Sequence, residues 1–175
     1  MSETARLGQA GMEVHDAASP PVAFEGFFEH ERDGLYRALW LVTRSRFEAE
    51  ELTQEAFVRV LERWDRVSLM DDPHAYLFQT AMNAFRSSYG RALLAAKRTR
   101  GVLPADDTIA EIDERDAAVR ALADLSPRQR AAVVLTDMLG FGSEEAARML
   151  GIRASTLRMH ASRAHAALKE TMSRD

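Results

Sequence analysis

From Phe24 onward the apolar residues of this chain recur at three- and four-residue steps, and nowhere do they settle into the two-residue alternation of a strand. Phe24, Phe27, Phe28, Leu35, Ala38, Leu39 and Val42 trace one helical face, with Gly34 placed where it bends that helix or splits it in two. After a turn at Arg44-Ser45-Arg46, Ala49, Leu52, Ala56, Val60 and Trp64 mark a second amphipathic helix. Its other side carries Glu50, Glu51, Gln54, Glu55 and Arg59. Asp65 to Asp72 reads as a polar connection, and Asp72-Pro73 supplies a capping side chain followed by proline at the first helical position. The third helix places Ala75, Phe78, Met82, Phe85 and Tyr89 on one face. The expected class is all-α.

The second half repeats these signals more densely. Leu125-Ser126-Pro127 opens a helix through Ala131, Val134, Leu135 and Met138, and Gly140 is placed to end it in a left-handed conformation. Ser143-Glu144-Glu145 is expected to cap a short helix that stops at Leu150-Gly151. A last helix opens near Ala154 or Ser155, with Leu157, Ala161, Ala164 and Leu168 as its apolar stripe. Between the halves, Gly101 to about Ala117 holds glycine, proline and an acidic run. The expected organisation is a mobile tail over 1–22, a helical unit over 23–96, a flexible acidic linker over 97–117 and a second helical unit over 118–175.

Composition narrows the chemistry. A chain of 175 residues makes one ordinary domain or two small ones, and the absence of cysteine excludes disulfides, thiol catalysis and thiolate metal sites. No apolar run approaches a membrane span and no secretory leader is read at the start, so a cytoplasmic protein without membrane insertion is expected. The net charge of −4 argues against a polyanionic partner only until its distribution is read. Arg86, Arg91, Lys97, Arg98 and Arg100 form one acid-free block, and Arg148, Arg153, Arg158, Arg163 and Lys169 form another. The acidic run lies between them.

A short helix, a glycine turn and a longer helix with basic residues off its apolar stripe follow the helix-turn-helix plan. The first helix and the turn hold the second at a fixed angle, so that its exposed side enters a major groove about 12 Å wide. Thr156, Arg158, Met159, Ser162 and Arg163 then point outward or flank the stripe, while Arg153 and Lys169 near the helix ends suit phosphates. His160 and His165 lie about 140° apart on a helix and do not share an ion. No metal, cofactor or catalytic residue is expected, and the chain is not read as an enzyme.

Ala49-Glu50-Glu51-Leu52-Thr53-Gln54-Glu55-Ala56-Phe57 resembles the A-E-D-L-x-Q-E-x-F segment of bacterial RNA polymerase sigma factors, in particular the compact extracytoplasmic-function (ECF) group of the sigma-70 family. Pro73 to Arg91 is similar to the promoter-melting helix that follows it. Leu125 to Leu168 resembles the family's second domain, with L-x-P-R-Q-R, a turn and S-x-E-E-x-A-x-x-L-G-I in order. The resemblance implies an initiation factor with a region 2-like and a region 4-like unit. It would bind core RNA polymerase and promoter DNA, and members of the family are often held by an anti-sigma factor.

The resemblance also implies roles for individual residues. Glu51, Leu52, Gln54, Glu55 and Arg59 would bind core polymerase; Ser68, Met70, Asn83, Arg86 and Arg91 would read the −10 element. Arg153, Ser155, Thr156, Arg158, Met159, Ser162 and Arg163 would bind the −35 element. Many relatives carry arginine where this chain has Met82, His160 and His165. Histidine charge would partly restore that loss below about pH 6.5, so DNA binding is expected to rise between pH 7.5 and 6. The competing reading is a stand-alone helix-turn-helix regulator that does not bind core polymerase and would have no need of the Glu50 to Phe57 surface.

Overall fold

The computed structural model describes residues 23–99 and 117–172, and every described element is helical. The expectations for the tail over 1–22 and for the acidic linker lie outside the described residues. In chain order the elements are α1 (Phe24–Thr43), α2 (Arg46–Leu61), α3 (Trp64–Val67), α4 (Pro73–Thr99), α5 (Ala117–Ala123), α6 (Pro127–Val133), a π-helical turn (Val134–Met138), α7 (Ser143–Leu150) and α8 (Ala154–Met172).

Gly34 neither bends nor splits α1, which runs unbroken past it. The apolar stripe outweighs one glycine: Leu35, Leu39 and Val42 are completely buried, and burial of such a side chain contributes about 1.5–3 kcal/mol against a propensity cost of about 1 kcal/mol for glycine. Arg44 closes α1 in the left-handed region at φ 61°, and its N–H donates to the Trp40 carbonyl. Ser45 then caps α2, its hydroxyl accepting from the Glu48 N–H at 3.1 Å. Ala49, Leu52, Ala56 and Val60 turn inward. Trp64, expected as the last apolar position of the second helix, lies beyond its end at Leu61 and opens the short α3, which runs into the expected polar connection. It joins Phe24, Phe27, Phe28 and Phe57 in an aromatic cluster, with Trp64 and Phe27 5.0 Å apart between ring centroids. The Asp72 carboxylate caps α4 by accepting from the Ala75 N–H at 2.8 Å.

In the second unit α5, α6 and α7 pack around α8. Ser126 and Gln129 form a reciprocal capping box with Pro127 just inside the helix. The helix continues beyond Val133 only by widening into the π turn, in which the Leu139 N–H reaches the Val134 carbonyl. Gly140 adopts φ +74°, as its position past a helix end requires. The capping expectation at Ser143 is corrected. Gly142 occupies the cap, makes no side-chain bond, and Ser143 is the first helical residue. Gly151 ends α7 at φ +62°, and α8 starts three residues later.

The two units pack on each other, α4 against α7 and α1 against α6. Arg130, 6% exposed, reaches from α6 into the end of α1. Phe141, from the loop before α7, packs against His74 and Phe78 of α4 with both centroid separations at 5.7 Å.

Candidate functional site

Three surfaces carry the residues singled out from the sequence. On α2, the buried row of Ala49, Leu52, Ala56 and Val60 fixes the rotation of the helix and so turns Glu51, Gln54, Glu55 and Arg59 to solvent. Glu55 and Arg59 pair one helical turn apart at 2.5 Å. Leu52 does not belong on this surface. It is only 3% exposed and packs in the core, because the same periodicity that exposes Glu51 turns the next residue inward. The exposed side also carries apolar residues that the charge pattern did not reveal: Phe47, Val58 and Leu61 are 71%, 55% and 52% exposed.

The second surface is formed by the α3–α4 connection and the middle of α4. Ser68 and Met70 are half-buried, and Met70 packs on the core beside the exposed Leu69. Met82 and Phe85 anchor the inner face of α4, leaving Asn83 half-buried and Arg86 and Arg91 exposed by solvent area. Arg86 nonetheless has a close neighbour. Its guanidinium lies against the turn at Gly151, where a Cβ would come within 1.5 Å of Nη1.

The third surface is α8. Leu157 and Ala164 are completely buried, whereas Arg153, Ser155, Arg158, Met159, Ser162 and Arg163 are exposed and Thr156 is half-buried. Residues 155, 158, 159, 162 and 163 fall on one face by helical spacing. No carboxylate pairs with Arg153, Arg158 or Arg163 among the described residues, so this face presents uncompensated positive charge.

The two histidines of α8 have different surroundings. Burial pushes the His160 imidazole below its ordinary pKa, and Arg128 and Arg163 nearby push it further. His165 Nε2 lies 2.5 Å from the Asp137 carboxylate on the π turn. Burial alone would raise the Asp137 carboxyl, but the Thr136 hydroxyl and the His165 ring outweigh it and hold the group below the usual carboxylate value. The His160 ring is therefore not a cation offered to phosphate near neutral pH.

Arg130, which the charge pattern does not single out, is buried between the two units. Its Nε donates to the Val42 carbonyl at 2.8 Å and its Nη1 to the Leu125 carbonyl at 2.6 Å. Burial, with Arg44 adding to it, lowers its pKa to about 10. The signal was present in Pro127-Arg128-Gln129-Arg130, where Arg130 lies four residues past the Ser126 cap and falls on the inward face of α6.

Among the described residues no group of three potential ligands is placed to hold a metal ion, and no helix is long and apolar enough to cross a membrane.

Two family models match successive parts of the chain. The family model for Sigma-70 region 2 matches residues 27–99, and that for Sigma-70, region 4 matches residues 115–168. The chain is 31% identical over 156 residues to the RNA polymerase sigma-E factor of Streptomyces avermitilis, covering 87% of each protein. It is 29% identical over 147 residues to the ECF RNA polymerase sigma factor SigM of Mycobacterium tuberculosis, covering 83% of this chain and 75% of that one. Among solved structures, the complex of sigma factor RpoE with the anti-sigma factor NepR from Bartonella quintana aligns with a TM-score of 0.70. That alignment covers 87% of this chain and 98% of the other, and at 24% identity it speaks for the fold. With both regions in order, and relatives aligned along most of their length, the chain belongs to the ECF group of the sigma-70 family: it is an initiation factor that binds core RNA polymerase and directs it to promoters.

Proposed function

We propose that the three exposed surfaces divide this work. Glu51, Gln54, Glu55 and Arg59 on α2 dock on a basic helical element of core polymerase, with Phe47, Val58 and Leu61 supplying apolar contacts around them. Ser68, Met70, Asn83, Arg86 and Arg91 take the −10 strand, where Asn83 offers both a donor and an acceptor to a base edge and the arginines meet phosphate. Arg158, Met159, Ser162 and Arg163 read base edges of the −35 element in the major groove, and Arg153, Ser155 and Thr156 at the start of α8 hold its backbone. Leu52 acts from beneath the docking surface by fixing the helix that displays it.

The observation that carries this reading is the outward acidic face of α2 in a chain that also holds an uncompensated basic recognition helix. A stand-alone regulator has use for the second feature and none for the first. The protein acts in the cytoplasm, where core polymerase is, and performs no bond chemistry of its own. Solved relatives of the same fold are described in complex with NepR and with the cytosolic domain of CnrY, which supports an anti-sigma factor as a further partner. Capture of purified core polymerase by the immobilised chain tests the docking assignment. Binding that survives Glu51→Ala combined with Gln54→Ala unchanged would refute it.

A further inference from the structure

α4, the start of α6 and the turn after α7 meet around a cavity of about 210 Å³ whose lining, apart from Arg86, belongs to none of the three surfaces. Tyr89 and Ile152 give it apolar walls, and the Tyr89 ring stacks on Phe85 at 5.9 Å and 22°. Arg86 from α4 and Arg128 from α6 bring two guanidiniums to the same cavity. Arg128 lies 6.0 Å from the centre of the Tyr89 ring, and Arg86 packs on the Gly151 turn, where a Cβ would collide with it. Both arginines are solvent-exposed, so they stand at the mouth of the cavity rather than in its depth.

The charge at this mouth is unmatched. Among the described residues neither guanidinium meets a carboxylate, and neither donates a hydrogen bond to the protein. Each carries its N–H donors in a planar fork that fits phosphate bidentately. The field is felt at His160, whose pKa is lowered first by burial and then by Arg128 and Arg163. Two like charges gathered at one hollow repel, and an anion shared between them relieves that repulsion. The apolar part defines the rest of the ligand. Pockets that enclose a whole drug-sized molecule run to about 300–1,000 Å³, so this smaller one takes a single flat ring system and leaves the charged end at the mouth. An aromatic ring beside an arginine is a surface on which nucleobases stack. An acidic peptide would satisfy the arginines and make no use of that flat wall.

We propose that this cavity is a site for a free nucleotide: the base stacks on Tyr89 beside Ile152, and Arg86 and Arg128 hold the phosphates. Arg86 is also the residue offered to the −10 strand, so a bound nucleotide and that strand exclude one another. The site itself does not depend on the assignment of Arg86 to DNA.

Equilibrium dialysis of the full-length protein against ATP and against GTP, without polymerase or DNA, tests the site. At least one of the two should bind saturably, one per chain. Arg128→Gln, at an exposed position outside the docking and DNA-reading sets, should weaken binding by about tenfold or more. Tyr89→Leu should weaken it by about tenfold through lost stacking, with melting temperatures recorded for both variants. Arg32→Ala removes an equal charge from α1 and should bind as the wild type does. Pyrophosphate and adenosine, each carrying part of the ligand, should bind at least about tenfold more weakly than the nucleotide. Four results would overturn the proposal: no saturable binding of either nucleotide at millimolar concentration, undiminished binding by Arg128→Gln, equal losses from Arg128→Gln and Arg32→Ala, or pyrophosphate bound as tightly as nucleotide. A chain that binds nucleotide in this way and yet fails to initiate transcription would refute the proposed function and leave the site standing.

Discussion

Arg130 and Val42 lie 88 positions apart in the chain, yet the guanidinium Nε of one donates to the carbonyl of the other at 2.8 Å. Val42 sits in the last turn of α1, where carbonyls lack an intrahelical partner and a positive charge is favoured. One side chain thus ends a helix of the first unit and anchors the second. Arg130→Ala would leave the Val42 and Leu125 carbonyls without this donor, at a cost of about 1–3 kcal/mol for a buried group. In calorimetry the wild-type chain should melt with the two units coupled, and the variant should melt earlier with the two transitions separated. An unchanged profile would remove Arg130 from this role.

Leu52 and Glu51 are adjacent in sequence and opposite in orientation, so their substitutions should fail differently. Leu52→Ala empties a packed site and is expected to cost about 2–5 kcal/mol of stability. Glu51→Ala removes an exposed group and should leave the melting temperature nearly unchanged. Its effect should fall on core polymerase affinity, by roughly 1–2 kcal/mol if it lies within the docking patch. Chemical denaturation and a polymerase binding isotherm on both variants separate the two roles.

On α8 the prediction concerns which kind of binding is lost. Arg158→Ala and Arg163→Ala should each cost about 1–3 kcal/mol on the cognate −35 sequence and relax discrimination at the base they meet. Arg153→Ala should weaken binding to all sequences alike and reduce the salt slope by about one. Titrations of full holoenzyme on cognate and scrambled promoters at several salt concentrations distinguish the two patterns.

The pH response follows from the surroundings of the two histidines. His160 has a lowered pKa, so its stabilising contribution is complete above about pH 6.5, the ordinary imidazole value, and declines as pH falls through the folded value. Asp137, whose pKa is lowered, keeps its negative charge beside the His165 ring throughout this range. Promoter affinity should therefore change little between pH 7.5 and 6. Anisotropy titrations of the full-length protein with core polymerase across this range give the answer, and a clear rise in affinity on acidification would contradict it.

Much of this was legible in the sequence, and the divergences have local causes. The three- and four-residue steps located α1, α2, α4, α7 and α8, since each buries one face and each stripe repeats often enough to define it. Asp72, Ser126 and the two left-handed glycines announced themselves because side-chain caps and positive φ are local requirements. α3 was hidden by its length, since Trp64 to Val67 is a single turn held by an aromatic cluster rather than by its own pattern. α5 was hidden by alanines, which are apolar on every side and trace no stripe. The π turn arises from tertiary packing at Val134 and Leu135, which no window of sequence contains.

The residue choices followed the same rule. Amphipathic spacing assigns the outward faces of α2 and α8, whereas a motif marks a segment without saying which members, such as Leu52, point inward. Arg86 meeting Gly151, and Arg130 meeting Val42, are relations between distant parts of the chain. Hydrophobic periodicity carries no information about them.

The most direct measurement of the central claim is run-off transcription by purified core polymerase on a library of genomic promoters, with and without the full-length protein. Core polymerase supplemented with this chain should yield discrete transcripts from a limited set of start sites that core alone does not use, and Arg158→Ala with Arg163→Ala should abolish them. Identical transcript patterns with and without the protein would contradict the account.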